Sequence, residues 1–174
     1  VTSPGESGEE GRATSPEILV LGVGNILLSD EGAGVKALHE LDRQYEFPAE
    51  VELMDGGTSG MQLLPWIENR SSLFILDVVK EKEAEPGAVF QYNFDDPPAF
   101  IRKKSTSHQL GLNEVLAFSL MSNTLPSRIV LFGIKPESMQ TGVELTSNVQ
   151  AGVQELIGLV VRELEKSGIS PVKS

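Results

Sequence analysis

Apolar positions in this chain follow two rhythms, continuous runs and helical spacing, and the switches between them mark its elements. Ile18-Leu19-Val20-Leu21-Gly22-Val23 is an unbroken run, which predicts a buried strand over 17–23. Val35, Leu38 and Leu41 then recur at helical spacing, so a helix is expected over 31–44. A second strand is expected over 51–54, then a short helix over 59–69 that Pro65 bends or breaks. The third strand, 72–78, is so uniformly apolar that both its faces must be covered. Glu85-Pro86-Gly87 marks a turn before a fourth strand, 88–92, whose alternation suits a sheet edge. Residues 95–106, which contain Asp96-Pro97-Pro98, read as an irregular loop. Leu112, Val115, Leu116 and Leu120 predict a helix after His108, and 128–134 a fifth strand. In the last helix Ser147 and Gln150 match a capping box, and Val149, Val153, Leu156, Ile157, Val160 and Leu164 keep helical spacing. Gly168 and Pro171 end it.

Strands alternating with helices imply an α/β fold: a three-layer α/β/α sandwich around a mostly parallel, twisted sheet of about five strands. Residues 1–16 are rich in Gly, Ser, Glu and Pro and are expected to form a disordered tail, which leaves 17–170 as the folded domain. The net charge of −11 argues against a nucleic-acid partner or an anionic membrane surface, and Arg102-Lys103-Lys104 is too short a basic run to change that. With no cysteine, disulfides, thiolate zinc sites and a cysteine nucleophile are excluded. No apolar stretch reaches spanning length, and the polar N-terminal stretch lacks the apolar core of a signal peptide. The expectation is a cytoplasmic protein without membrane insertion.

The candidate chemistry lies where apolar runs stop. The first leads into Asp30-Glu31, the second stops at Asp55 and the third at Asp77. In an open parallel sheet, ligands bind beyond the carboxyl ends of the strands, so these acids are expected to converge. Their mutual repulsion then calls for a cation, and a metal ion is the natural one. Singly, each acid has a plainer reading. Glu31 suits the first turn of a helix, Asp55 the Gly56-Gly57 turn, and only Asp77, ending so apolar a strand, demands a partner. His108, in Ser105-Thr106-Ser107-His108-Gln109-Leu110, opens a helix whose positive end keeps imidazole neutral and able to bind metal. Glu31, Asp77 and His108 together would suit Zn, Ni, Mn or Fe with positions left open. His39, the other histidine, is read as a bystander on the polar side of its helix. Gly22-Val23-Gly24 has Leu27 where a dinucleotide fingerprint needs its third glycine, and Asp30 and Glu31 would repel a pyrophosphate. Thr58-Ser59-Gly60 lacks the flanking pattern of a serine nucleophile elbow.

The segments Gly22-Val23-Gly24-Asn25-Ile26-Leu27-Leu28-Ser29-Asp30-Glu31-Gly32, Asp55-Gly56-Gly57-Thr58, Asp77 and Ser107-His108-Gln109-Leu110-Gly111-Leu112 resemble the hydrogenase maturation endopeptidases. These are the proteases that finish the large subunit of nickel–iron hydrogenases. The similarity runs in order from Ile18 to Gly168, includes Gly133-Ile134-Lys135-Pro136-Glu137-Ser138, and is nearest to members serving membrane-bound uptake hydrogenases. The resemblance implies an endopeptidase, of a kind grouped with the aspartic type. It would remove a C-terminal peptide from the large-subunit precursor once nickel has been inserted. It also implies that Glu31, Asp77 and His108 sense that nickel, which arrives with the substrate, although other divalent metals could occupy the site. The aspartate of the D-G-G-T motif maps onto Asp55. Two mechanisms stay open. Nickel acts as a Lewis acid, or Asp55 or Asp77 acts as general base on water while nickel licenses binding, the second being favoured. Two other classes remain beside it: a nickel-sensing chaperone that binds the precursor without shortening it, and a nucleotide-binding domain.

Overall fold

The structure is a computed structural model and describes residues 1–3, 17–94 and 109–174. The loop expected over 95–106 and His108 lie outside the described residues. The apolar runs form strands β1 (Ile18–Val23), β3 (Val51–Gly57), β4 (Ser72–Val78), β5 (Val89–Phe94) and β6 (Arg128–Ile134) of one sheet. Its order is β3-β1-β4-β6-β5. The first four run parallel, and β5 is an antiparallel edge strand on β6, as its alternating pattern suggested. Two short strands, β2 (Tyr45–Glu46) and β7 (Val172–Lys173), form a separate antiparallel ladder. Among the described residues, no helix is long and apolar enough to cross a membrane.

Successive strand residues point to opposite faces, and each face carries its own core. Val20, Phe74, Leu76 and Phe132 meet Leu38 of α1 (Ala33–Gln44) and Leu156 and Val160 of α4 (Ser147–Lys166). Leu19, Leu21, Ile75 and Leu131 meet the opposite layer. That layer is α2 (Leu64–Ile67), with Leu63 in the 3-10 turn before it, and α3 (Gln109–Met121), through Leu112, Val115 and Leu116. The fold is therefore the expected three-layer α/β sandwich.

Four local features depart from the sequence reading. The chain leaves β1 through a 3-10 turn, Ser29–Gly32, and α1 begins only at Ala33. Gly34 in its first turn rests on the strand ends: a Cβ there would lie 2.2 Å from the Leu76 carbonyl oxygen and 2.5 Å from that of Val23. The short helix expected over 59–69 is a 3-10 turn, Met61–Leu63, followed by α2, and Pro65 stands in the first turn of α2, where its missing N–H is harmless. The capping box does not form either. The N-cap of α4 is Thr146, not Ser147, and it makes no side-chain capping bond. Finally, Thr2, within the segment expected to be a disordered tail, pairs with β3, while residues 4–16 lie outside the described residues.

Glu163 of α4 joins this helix to the sheet. It is nearly fully buried, accepts from Gln91 at 2.8 Å and Lys166 at 3.0 Å, and is also paired with Arg128. Burial pushes its carboxyl up, but the bonds from Gln91, Arg128 and Lys166 outweigh it and hold the group below its usual 4.5. A carboxyl depressed in the folded state contributes stability above its unfolded pKa and loses it as pH falls through the folded value. Glu163→Gln should therefore cost about 2 kcal/mol at neutral pH, and the difference should shrink below pH 4.5. Urea midpoints of both proteins at pH 7 and pH 4 check this. A gap that does not change with acidification would contradict it.

Candidate functional site

All four parallel strands present their carboxyl ends on one edge of the sheet. β3 and β4 flank β1 there, so the chain order reverses at β1 and opens the crevice where such sheets bind ligands. Glu31 sits in the 3-10 turn that packs against the end of β4. Asp77 is the last residue but one of β4 and is fully buried, with its Oδ1 accepting the Val78 N–H at 2.7 Å.

Strand register separates two of the candidate acids. Gly22 pairs with both Asp55 and Leu76, and Leu76 belongs to the core under α1, so Asp55 faces α1. Asp77, one residue on from Leu76, faces the layer of α3. The acids at the strand ends thus do not all converge. Asp55 and Asp77 leave the sheet on opposite faces, with β1 between their strands.

Asp55 has a partner that the sequence reading set aside. His39 Nε2 lies 2.8 Å from Asp55 Oδ2, so His39 is no bystander. The signal was present in α1: His39 is one turn beyond the buried Val35, which puts it on the flank of the buried stripe, over the neighbouring strand end. The Asp55 side chain is 24% exposed and borders a cavity of about 240 Å³ with Gly24, Asn25, Leu27, Gly57 and Thr58. Gly57 has φ of +48°, and a Cβ there would stand 3.6 Å from Asp55 Oδ1. With Oδ2 held by His39, a carboxylate bordering a space large enough for several waters can accept a proton from a bound water.

Asp30 also does something other than expected. Its side chain is a fully buried tie between two loops. Its Oδ2 accepts from the N–H groups of Glu137 at 2.9 Å and Ser138 at 2.8 Å and from the Thr146 hydroxyl at 2.9 Å. Its Oδ1 accepts the Thr146 N–H at 2.7 Å. The segment from Glu137 to Thr146 is thereby drawn against residues 27–30, where Ser29 N–H donates to the Gly142 carbonyl at 2.7 Å. This buried carboxylate ties the segment to the turn that carries Glu31. Among the described residues no three histidine or acidic side chains gather as a metal-holding group, and the set inferred from the sequence needs His108, which lies outside them.

A family model described as hydrogenase maturation protease matches residues 35–163. The hydrogenase 2 maturation protease of Escherichia coli (strain K12) is 39% identical to this chain over 155 residues, covering 89% of this chain and 94% of that protein. The hydrogenase expression/formation protein HupD of Rhodobacter capsulatus is 38% identical over 164 residues, covering 92% and 78%. The solved structure of the hydrogenase maturating endopeptidase HybD from E. coli matches this fold with a TM-score of 0.83 at 38% identity, over 90% of this chain and 97% of that one.

Proposed function

The chain belongs to the hydrogenase maturation protease family, and from that premise we propose that it removes a C-terminal peptide from the nickel-loaded large-subunit precursor of a nickel–iron hydrogenase, in the cytoplasm. Glu31, Asp77 and His108 take hold of the nickel that the substrate brings. Asp77 is enclosed by the sheet and suits an ion that has shed its water. Asp55 is the general base. A water in the cavity attacks the scissile carbonyl carbon while Asp55 Oδ1 takes its proton. The tetrahedral intermediate then collapses, the C–N bond breaks, and the proton passes to the leaving amine. His39, bonded to Oδ2, keeps the carboxylate turned toward that water. The observation that carries this division of labour is the pairing of Asp55 with His39 beside an open cavity, set against the complete burial of Asp77.

The test is mass spectrometry of the precursor incubated with the protein, with and without inserted nickel. A single C-terminal truncation is expected only in the nickel-loaded sample. Glu31→Gln and His108→Ala should each abolish it while leaving the circular dichroism spectrum and melting temperature unchanged. Full activity in both variants would remove the nickel-sensing role, and cleavage of nickel-free precursor would remove the gate. An intact precursor that still forms a complex would favour the chaperone reading.

A further inference from the structure

Among the described residues β3 is an edge strand of the five-stranded sheet, with β1 as its one neighbour there. Its outer side nevertheless carries extended backbone. Thr2 N–H donates to the Leu53 carbonyl at 3.1 Å, and Asp55 N–H donates to the Thr2 carbonyl at 2.9 Å, making a parallel bridge opposite Met54. A short stretch of chain is thus docked mainly through its main chain, with the Thr2 hydroxyl also donating to the Leu53 carbonyl at 3.4 Å, on the strand that supplies the candidate base. Upstream along the same edge runs a groove of about 510 Å³ lined by Tyr45, Phe47 and Val51 together with the acids Asp42 and Glu46.

We propose that the outer edge of β3 is a strand-addition site for the extended C-terminal segment of the precursor, which binds parallel to β3 in place of Thr2 and brings its scissile bond to Asp55. This rests on the reading of the chain as a precursor-processing protease. Polarity supports it. A strand parallel to β3 points its C-terminal end past Asp55, so the portion beyond the base is the portion to be released. At about 3.3 Å per residue, three residues beyond the position of Thr2, opposite Met54, reach the level of Gly57 and the cavity. Main-chain bonding gives affinity with little dependence on sequence, and the groove adds selectivity. Its aromatic and aliphatic walls take apolar side chains, and Asp42 and Glu46 favour a basic one. Thr2 is held by a single bridge and a long hydroxyl contact, so a longer segment that fills the groove as well can displace it, and until then Thr2 competes from within the same chain.

The experiment uses the full chain and a synthetic peptide of the precursor's C-terminal segment, labelled for fluorescence anisotropy. Single N-methyl groups are moved along its backbone. Affinity should fall about tenfold or more at alternate positions only, because every second N–H of an added strand faces its partner. Thr2→Pro, which removes the donor to Leu53, should tighten peptide binding about fivefold and lower KM for precursor with kcat unchanged. A flat N-methyl scan with no effect of Thr2→Pro, in a protein that still processes precursor, would overturn the edge site and leave the protease standing. An alternating scan without processing would keep the edge site and remove the protease.

Discussion

Asp30→Ala is expected to lower the unfolding free energy by about 4 kcal/mol, a large part of the stability of a domain this size. Four donors end on this one carboxylate: the N–H groups of Glu137, Ser138 and Thr146 and the Thr146 hydroxyl. Bonds to a charged acceptor are worth about 1.5–3 kcal/mol each, and water entering the opened loop recovers part of the loss. Asp30→Asn separates charge from shape. Its carbonyl can still accept the Thr146 N–H, but its amide meets the three donors now ending on Oδ2, so roughly half of the loss should remain. Urea titration reads both, as a shift of the midpoint at constant slope. An Asp30→Ala protein within about 1 kcal/mol of the parent would show that the loops are held by other contacts.

Asp55→Asn should slow processing of nickel-loaded precursor by about 10²–10⁴-fold while leaving precursor binding intact. The amide keeps the size of the carboxylate and can still bond to His39, but it cannot take a proton from water. Asp77→Asn should act differently. It should weaken capture of the nickel-loaded precursor and raise KM more than it lowers kcat. Single-turnover rates at saturating enzyme, beside pull-down of the unprocessed precursor, tell the two apart. If Asp55→Asn cleaves at the parent rate, nickel itself activates the water and the Lewis-acid mechanism replaces this one. If only Asp77→Asn stops turnover with binding unchanged, the roles of the two acids are reversed.

The layers and most strand positions were legible because each rests on a local signal, such as the apolar run Leu73–Leu76 or the spacing of Val149, Val153, Leu156 and Val160. Asp55 and Asp77 do lie near the carboxyl ends of β3 and β4. Which face each acid takes was not readable, because it depends on the pairing of Gly22 with both Asp55 and Leu76, a fact of three strands at once. Asp30 and Glu31 are neighbours in sequence and look alike there. One is fully buried under a loop more than a hundred residues away, and only the folded chain brings that loop over it. The same contact misled the reading of α4, since Thr146 gives its hydroxyl to Asp30 and the cap falls one residue before the S-x-x-Q pattern. His39 was set aside because its partner lies on another element, 16 positions away.

The order β3-β1-β4-β6-β5 also governs how the molecule comes into being. β6 is inserted between β4 and β5 although both precede it in the chain. On a ribosome, β4 and β5 emerge with the sides they will offer to β6 still unpaired, and these stay so until residue 134 has left the exit tunnel. The apolar face of Val130 and Phe132 on β6 waits longer still, for α4. A nascent chain with two open ladders and an uncovered face is the state most exposed to aggregation. Slowing translation after β6 should therefore raise the soluble yield, whereas slowing it between β5 and β6 should lower it.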